Sequence, residues 1–223
     1  EEISKVSKKY NLWLHVDGAF GGSVIFTEKY KSLVKGVEKS DSFCFNAHKT
    51  LGVPLSTSVL VVNDVKCLEK SFGNKASYLY QTHDNDYNLG QTSFECGRRN
   101  NALKLWTMWK SIGTKGISQI INHEFDLADF AREYVFNNDN YKLYSFENSL
   151  SICFNYKKYD PIDLCSKLYE KNKLMVGFGY FNKQCFIRLV TINGENSKKD
   201  ILNFFKTLEE FVESNKDLIK KIK

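Results

Sequence analysis

Short apolar runs alternate with helical patterns along the first third of the chain. The predicted elements are a buried strand at 11–17, a short helix at 27–40 that Gly36 interrupts, strands at 42–47 and 56–63, and a helix at 64–72. Continuous apolar strands that alternate with helices are typical of an α/β fold, in which helices cover both faces of a mostly parallel sheet.

A polar segment and two long helical patterns follow. Residues 73–97 predict a lid or binding loop, because loops of this length are uncommon inside compact domains unless they have a function. Helices are predicted at 98–113 and 117–138. The first of these helices has one apolar face, on which we expect both tryptophans to lie in the core: Ala102, Leu105, Trp106 and Trp109.

The pattern changes after residue 140. Strands are predicted at 141–146, 151–156, 174–181 and 184–192, and helices at 161–173 and 197–219. This grouping indicates a small α+β domain. The sequence therefore predicts two domains, at 1–138 and 139–223, with a boundary near Asn138 to Tyr141.

Composition narrows the classes of partner. The net charge of +6 is dispersed except in the C-terminal KDLIKKIK, and no aromatic–basic motif accompanies it, so we expect no nucleic-acid partner. The six cysteines and four histidines show no metal-binding spacing, and we expect no metal. No signal peptide or membrane-spanning stretch is visible, which favours a cytoplasmic protein. The first residues, EEISKVSKKY without Met, look like the last turns of a helix, which predicts a fragment of a longer chain.

Two charged residues follow predicted strands. Asp17 closes the first strand, and Lys49 comes directly after the second. In α/β sheets the carboxyl ends of strands are where ligands bind. The two groups could form a plain buried salt bridge. Alternatively, the Lys49 amine could form a Schiff base with an aldehyde cofactor while the Asp17 carboxylate keeps a pyridine nitrogen protonated.

Five segments carry a resemblance to a known family. They are LHVDGAFGGS, NAHKTLGVPLSTS, ASYLYQ, CGRRNNALKLWTMWKSIGTKG and FIRLVTIN, in this order. Together they resemble the C-terminal half of the group II pyridoxal-phosphate decarboxylases, over roughly residues 10 to 215. The subgroup is that of the acidic amino acid decarboxylases. The resemblance implies the C-terminal part of the large cofactor-binding domain at 1–138, with its N-terminal half missing, and a small α+β domain after it.

The resemblance also implies roles for individual residues. Asp17 matches the aspartate that pairs with the pyridine nitrogen, and Ala19 matches the small residue on the cofactor ring. Lys49 matches the Schiff-base lysine, and Asn46 and His48 match its two neighbours at the cofactor. Arg188 matches the arginine that holds the substrate carboxylate. The alternative for Arg188 is a solvated charge at a strand edge.

The chain departs from the family pattern in places. Most relatives have Asp-Ala-Ala and Asn-Pro-His-Lys where this chain has Gly18 and Ala47 as the second residue of each motif. The lid is a few residues shorter than in animal glutamate decarboxylases. Tyr87 corresponds to the lid tyrosine that protonates the product, but the shorter lid leaves open that it is an exposed loop tyrosine.

The resemblance implies an enzyme that uses pyridoxal 5'-phosphate to decarboxylate glutamate, cysteine sulfinate or aspartate, as a homodimer in the full-length protein. GGSV, ASYLYQ and CGRR favour cysteine sulfinate slightly. The fragment alone is expected to be inactive. The alternative is a truncated or diverged scaffold that no longer catalyses and instead binds or dimerises with a related chain. Aminotransferase chemistry and aromatic amino acid decarboxylation fit the motifs less well.

Overall fold

The computed structural model describes residues 1–73, 92–95 and 97–222. Its α-helices are α1 (Glu2–Lys9), α2 (Ala47–Thr50), α3 (Val65–Phe72), α4 (Asn101–Phe136), α5 (Pro161–Glu170) and α6 (Lys198–Ser214). Its strands are β1 (His15–Gly18), β2 (Ser42–Asn46), β3 (Ser58–Val62), β4 (Tyr141–Leu143), β5 (Ser151–Tyr156), β6 (Gly177–Phe181) and β7 (Gln184–Val190). Helices and strands alternate, which confirms the predicted α/β class.

The chain divides into two compact units, Glu1–Ser118 and Gln119–Lys223. The division falls inside α4, earlier than the boundary predicted near residue 138. The second half of α4 packs on elements of the second unit: the ring of Tyr134 stacks on that of Phe205, and Thr191 Oγ1 donates to the backbone oxygen of Glu124 at 3.1 Å. The predicted domain limits, 1–138 and 139–223, stay a prediction.

The first unit contains a three-stranded mixed sheet in the order β1-β2-β3. β1 and β2 are parallel, whereas β3 is antiparallel to β2. The direction of β3 follows from its short connection, because a return to a parallel strand needs a crossover of a dozen or more residues. Residues 47–57 are fewer than that. The described strands of this sheet are therefore mixed and not mostly parallel.

The face of the first sheet that carries Phe43 and Phe45 is packed, and its other face is open in the described part of the chain. Both phenylalanines are buried. His15 and Asp17, which point the other way, are exposed. The expectation of a strand buried on both faces is wrong for β1, because nothing in the described residues covers this side of it.

The stretch 27–40 was predicted as one helix, and that prediction is wrong. It forms two short 3₁₀ turns, Lys31–Val34 and Val37–Lys39, separated by Gly36 at φ 95°. A positive φ cannot continue a right-handed helix, and it is a conformation that glycine adopts at little cost.

The second unit has a four-stranded antiparallel sheet in the order β4-β5-β7-β6. α5 begins at Pro161 after the cap Asp160, whose side chain accepts from the N–H of Asp163. Ser197 and Asp200 form a reciprocal capping box at the start of α6. The core of this unit includes large side chains from its strands and helices that are almost fully buried: Ile152, Phe154, Leu164, Leu168, Ile187, Phe205 and Leu208.

α4 confirms the two predicted helices, which meet at Gly113, where φ is 66° and ψ is 176°. The prediction for its tryptophans is wrong. Trp106 is 58% exposed and Trp109 is 38% exposed. Periodicity identified an apolar face, but the described residues cover it only in part; the ring of Phe26 packs edge-on against Trp109.

Candidate active site

Two strand ends and one short helix bring the predicted site residues of the first unit together. Asp17 lies near the end of β1, and Asn46 ends β2. α2 begins at the next residue and carries His48 and Lys49. The N–H of Asn46 donates to the backbone oxygen of Ala19 at 3.2 Å, which fixes the loop after β1 beside the end of β2.

Asp17 presents an ionised carboxylate near the carboxyl end of β1. Its Oδ1 accepts from the N–H of Ala19 at 2.9 Å and from the thiol of Cys44 at 3.6 Å. The hydrogen bond from Ala19 is the main cause that lowers the pKa of Asp17, with smaller contributions from Cys44, His15 and Lys49. In the described part of the chain, no donor reaches Oδ2.

His48 is held in one orientation by the backbone of Thr57. The N–H of Thr57 donates to Nδ1 of His48 at 3.0 Å. A backbone N–H can only donate, so Nδ1 carries no proton in the neutral ring, and we assign the proton to Nε2. Nε2 has no hydrogen-bond partner among the described residues, which leaves it free to donate to a ligand.

Lys49 is half-buried. Lys49 is part of α2, and a hydrogen bond between the hydroxyls of Ser23 and Thr50, 2.5 Å apart, anchors this helix. Lys49 and Asp17, both in the described part of the chain, interact through their charges but form no direct ion pair. The simple buried salt bridge that the spacing left open is therefore not formed.

Gly18, one of the departures from the family pattern, lies in a crowded place. A Cβ on this residue would lie 2.7 Å from the backbone oxygen of Cys44 and 2.9 Å from Cα of Gly22. The chain here packs β1, β2 and the following turn more closely than a methyl group allows. The glycine is thus explained by local packing.

Three polar residues on the same face of the sheet as Asp17 were missed by sequence reasoning: His15, Ser42 and Cys44. Cys44 lies opposite Asp17 in the paired strands, and His15 lies opposite Ser42. The signal that could have found them is the alternation of side chains along a strand, which places residues two apart on the same face. It becomes useful only once the register of β1 and β2 is known.

The remaining predicted residues are Arg188 and Tyr87. Arg188 is exposed on β7 in the second unit, opposite Cys153 of β5 and Gly177 of β6. Tyr87 lies outside the described residues. Their assigned roles stay predictions. Within residues 1–73, 92–95 and 97–222, no group of three metal-binding side chains is found. No helix in these ranges is long and apolar enough to cross a membrane.

Comparison with known proteins decides the family. The description "Pyridoxal-dependent decarboxylase conserved domain" matches residues 1–157. The chain belongs to this family. Pyridoxal phosphate is the family's cofactor, as the sequence predicted.

Relatives of this chain include enzymes of the predicted subgroup. It is 30% identical to the acidic amino acid decarboxylase of Mus musculus, over 90% of this chain and 40% of the relative. It is 35% identical to the cysteine sulfinic acid decarboxylase of Homo sapiens, over 69% of this chain and 32% of the relative. The chain thus spans two fifths or less of the length of these relatives.

Solved structures agree with the fold. The crystal structure of mouse CSAD matches with a TM-score of 0.84 and 28% identity, over 93% of this chain and 47% of that chain. The crystal structure of Oryza sativa TDC with PLP and tryptamine matches with a TM-score of 0.85 over 95% of this chain. At 20% identity the second match shows the fold alone.

The residues of this chain fit pyridoxal phosphate. A carboxylate with one oxygen unbonded suits a protonated ring nitrogen. An amine without a direct ion pair to the neighbouring carboxylate suits an aldehyde, and an imidazole N–H without a described partner suits an anionic oxygen. These three groups belong to Asp17, Lys49 and His48. They lie at the carboxyl ends of β1 and β2, which is where α/β sheets bind ligands.

Proposed function

We propose that this chain carries the lysine-bearing part of an enzyme that decarboxylates an acidic amino acid with pyridoxal phosphate. The observation that carries the proposal is the convergence of Asp17, Asn46, His48 and Lys49 at the joined ends of β1 and β2. The family and the names of the relatives support the reaction class.

Each residue of the cluster has a task that its surroundings suit. When bound, pyridoxal phosphate supplies an electron-withdrawing ring that takes up the electron pair released with CO₂. The Lys49 amine holds the cofactor covalently between turnovers. The Asp17 carboxylate, kept ionised by the N–H of Ala19, holds a proton on the ring nitrogen. The Nε2–H of His48 donates to an oxygen of the cofactor or of the substrate.

The substrate contacts are assigned from the family resemblance. Arg188 binds the α-carboxylate of the substrate, because a guanidinium matches a carboxylate with two parallel hydrogen bonds. Tyr87 returns a proton to the product. Ala19 leaves space beside the cofactor ring. Among the acidic amino acids, the proposal favours cysteine sulfinate, which is supported by the 35% identity to a cysteine sulfinic acid decarboxylase.

The assembly is also part of the proposal. The chain covers 47% of the mouse CSAD chain, which supports its acting within a longer polypeptide. The homodimer is what the family resemblance implies. Five cysteines of the described part of the chain are free, which agrees with a reducing, cytoplasmic setting.

The experiment locates the covalent attachment. The natural protein is incubated with pyridoxal phosphate, reduced with borohydride and digested, and the modified peptide is sequenced by mass spectrometry. We expect the pyridoxyl group on Lys49 and no decarboxylase activity in a Lys49→Arg variant. A Lys66→Arg variant, which changes an exposed lysine on α3, is the matched control and should be labelled and active.

Labelling at another lysine would contradict the assignment of the site. A natural protein that takes up no label and shows no turnover with glutamate, aspartate or cysteine sulfinate would instead support the non-catalytic scaffold. The two results are distinguishable because the first leaves a labelled peptide and the second does not.

A further inference from the structure

A line of polar side chains runs along the open face of β1 and β2. His15 and Asp17 lie two residues apart on β1, and their partners across the parallel pair are Ser42 and Cys44. Residues two apart on a strand share a face, so these four side chains form two adjacent pairs. Trp13, just before β1, reaches the same line through its indole N–H.

The two ends of the line have fixed hydrogen-bonding roles. Trp13 Nε1 donates to Ser42 Oγ at 2.9 Å, and an indole N–H can only donate. At the other end, Oδ1 of Asp17 lies 3.6 Å from the sulfur of Cys44. An ionised carboxylate can only accept, so the thiol of Cys44 is the donor.

These ends determine the direction of the bonds between them. Because the thiol hydrogen of Cys44 is used toward Asp17, the sulfur can only accept from Nε2 of His15, which lies 3.7 Å away. The neutral ring then carries its proton on Nε2 and none on Nδ1, so the Ser42 hydroxyl, 2.7 Å from Nδ1, donates to it while its oxygen accepts from Trp13. Every hydrogen in the line therefore points toward Asp17.

We propose that Trp13, Ser42, His15 and Cys44 are positioning residues that form a one-directional hydrogen-bond relay and set the orientation of the Asp17 carboxylate. The inference rests on the proposed function in one respect, namely that Asp17 faces the ring nitrogen of the cofactor. The relay itself is a property of the protein without the cofactor.

The relay explains which carboxylate oxygen meets the ligand. Oδ1 of Asp17 accepts two donors, the N–H of Ala19 and the thiol of Cys44. Oδ2 accepts none from the described residues. With Oδ1 held on two sides, the carboxylate cannot rotate freely, and Oδ2 is the oxygen presented to the ring nitrogen. Removing the Cys44 donor frees one of these two restraints.

The first test measures the reactivity of Cys44 without cofactor. Burial raises the pKa of the Cys44 thiol, and the neighbouring Asp17 carboxylate raises it further. The natural protein, freed of pyridoxal phosphate, is treated with iodoacetamide near pH 8. The modification of Cys44 is followed by peptide mass spectrometry, with Cys67 on α3 as the internal reference. The reactive form is the thiolate.

The two neighbours of Cys44 should change this rate in opposite directions. Asp17→Asn removes the opposing charge and should speed alkylation, by about tenfold for one unit of thiol pKa. His15→Phe keeps a ring but removes the donor to the sulfur, and should slow it several-fold. If the substitutions only loosened the structure around Cys44, alkylation of Cys44 would be faster in both variants. An unchanged rate in Asp17→Asn, or a faster rate in both, would overturn the relay.

The second test uses the bound cofactor as a spectroscopic reporter. In Cys44→Ala, the pH at which the bound cofactor changes its absorbance should shift, and turnover should fall several-fold. Cys44→Ser restores a group that both donates and accepts, so it should return both values toward those of the natural protein. Cys67→Ala is the control and should change neither.

A Cys44→Ser variant that behaves like Cys44→Ala would exclude a hydrogen-bonding role for this side chain. Failure of the relay is distinguishable from failure of the proposed function. Borohydride labelling of Lys49 does not depend on Cys44, and the alkylation test needs no cofactor.

Discussion

The backbone N–H of Thr57 donates to Nδ1 of His48 at 3.0 Å, across the turn that joins α2 to β3. This bond is the basis for assigning the proton of His48 to Nε2, and His48 precedes Lys49, the proposed cofactor lysine. The backbone oxygen of Thr57 also lies 3.0 Å from Nδ1, but it has no proton to accept there in the neutral ring. A main-chain donor cannot be altered by ordinary side-chain substitutions, so the orientation of His48 is built into the fold.

Replacing His48 should therefore remove a donor without unfolding its surroundings. We expect His48→Asn to lower turnover by about a hundredfold, the lower end of the range for a positioned proton donor, while borohydride still labels Lys49. The matched control is His123→Asn. His123 contacts a backbone oxygen, that of Asn196 at 2.7 Å, and has no role in the proposed site. Equal losses in the two variants would contradict the assigned role.

Asp17→Asn should separate catalysis from stability. The amide keeps the shape of the side chain but removes the charge that we propose holds a proton on the ring nitrogen, so turnover should fall by about a hundredfold or more. Because Asp17 is exposed and forms no direct ion pair with Lys49, the melting temperature should change little. Normal turnover with an early melting transition would show that Asp17 is a structural residue.

Asp163→Asn should lower stability and leave catalysis unchanged, the opposite of Asp17→Asn. Burial favours the neutral form of Asp163, but hydrogen bonds from the Lys167 side chain and the backbone N–H of Lys220 hold its pKa below the usual value. A carboxyl with a lowered pKa adds stability above its unfolded pKa, and the addition is lost as the pH falls through the folded pKa. We expect this variant to melt earlier at neutral pH, by an amount that shrinks in acid, while turnover stays normal.

Local patterns predicted most elements, and the errors arose where distant contacts decide. The strand at 151–156 has the predicted limits, and both predicted helices are present in α4. Periodicity shows that Trp106 and Trp109 share a face, but it contains no information about what covers that face. It also cannot give the direction of β3, which depends on the length of a connection.

The missed part of the site has a similar cause. His15 and Cys44 are far apart in sequence, and only the parallel register of β1 and β2 makes them neighbours. The resemblance supplied Asp17, His48 and Lys49 because the motif names them. It named neither His15 nor Cys44, whose contact with Asp17 is visible only in the fold.

Two tyrosines of the second unit share one acceptor. The hydroxyls of Tyr134 and Tyr141 donate to Oε1 of Glu209 at 2.9 and 2.8 Å. Burial raises the pKa of Tyr134 to about 12, and it raises that of Tyr141 as well, so both hydroxyls stay protonated and donate. The three residues join α4, β4 and α6 by hydrogen bonds inside an aromatic cluster.

Substitutions at Glu209 should show what these bonds contribute. Glu209→Gln keeps an accepting oxygen and should lower the free energy of unfolding by about 1 kcal/mol or less. Glu209→Leu leaves two hydroxyls without an acceptor and should cost about 2 to 4 kcal/mol. Denaturant titration of the natural protein and both variants measures the difference. Equal costs for Gln and Leu would show that the hydrogen bonds contribute little.

Glu124 is the most unusual buried group in the described chain. It is 0% exposed, and neither carboxylate oxygen has a hydrogen-bond partner. Apolar residues of the same helix, among them Ile121, Phe125 and Ala128, are buried around it. Burial raises the pKa of Glu124 from 4.5 to about 9, so the folded protein holds a proton on it at neutral pH.

This proton makes stability depend on pH in a defined direction. Between pH 4.5 and about 9 the folded state binds one proton more at Glu124 than the unfolded state does, so stability falls as the pH rises. The loss is up to about 1.4 kcal/mol per pH unit and levels off above the folded pKa. Glu124→Gln has nearly the same size and no such proton. Its advantage in unfolding free energy over the natural protein should therefore be small near pH 5 and grow toward pH 9.

Denaturant midpoints at pH 5, 7 and 9 test this, with Glu133→Gln, at an exposed position of the same helix, as the control that should show no such trend. All other titrating groups are common to the natural protein and the Glu124→Gln variant, so their effects cancel in the difference between the two curves. A difference that stays constant from pH 5 to 9 would mean that Glu124 is ionised in the folded state. A cation or water reaching its carboxylate would then be required, because an unpaired buried charge costs far more than the fold can tolerate.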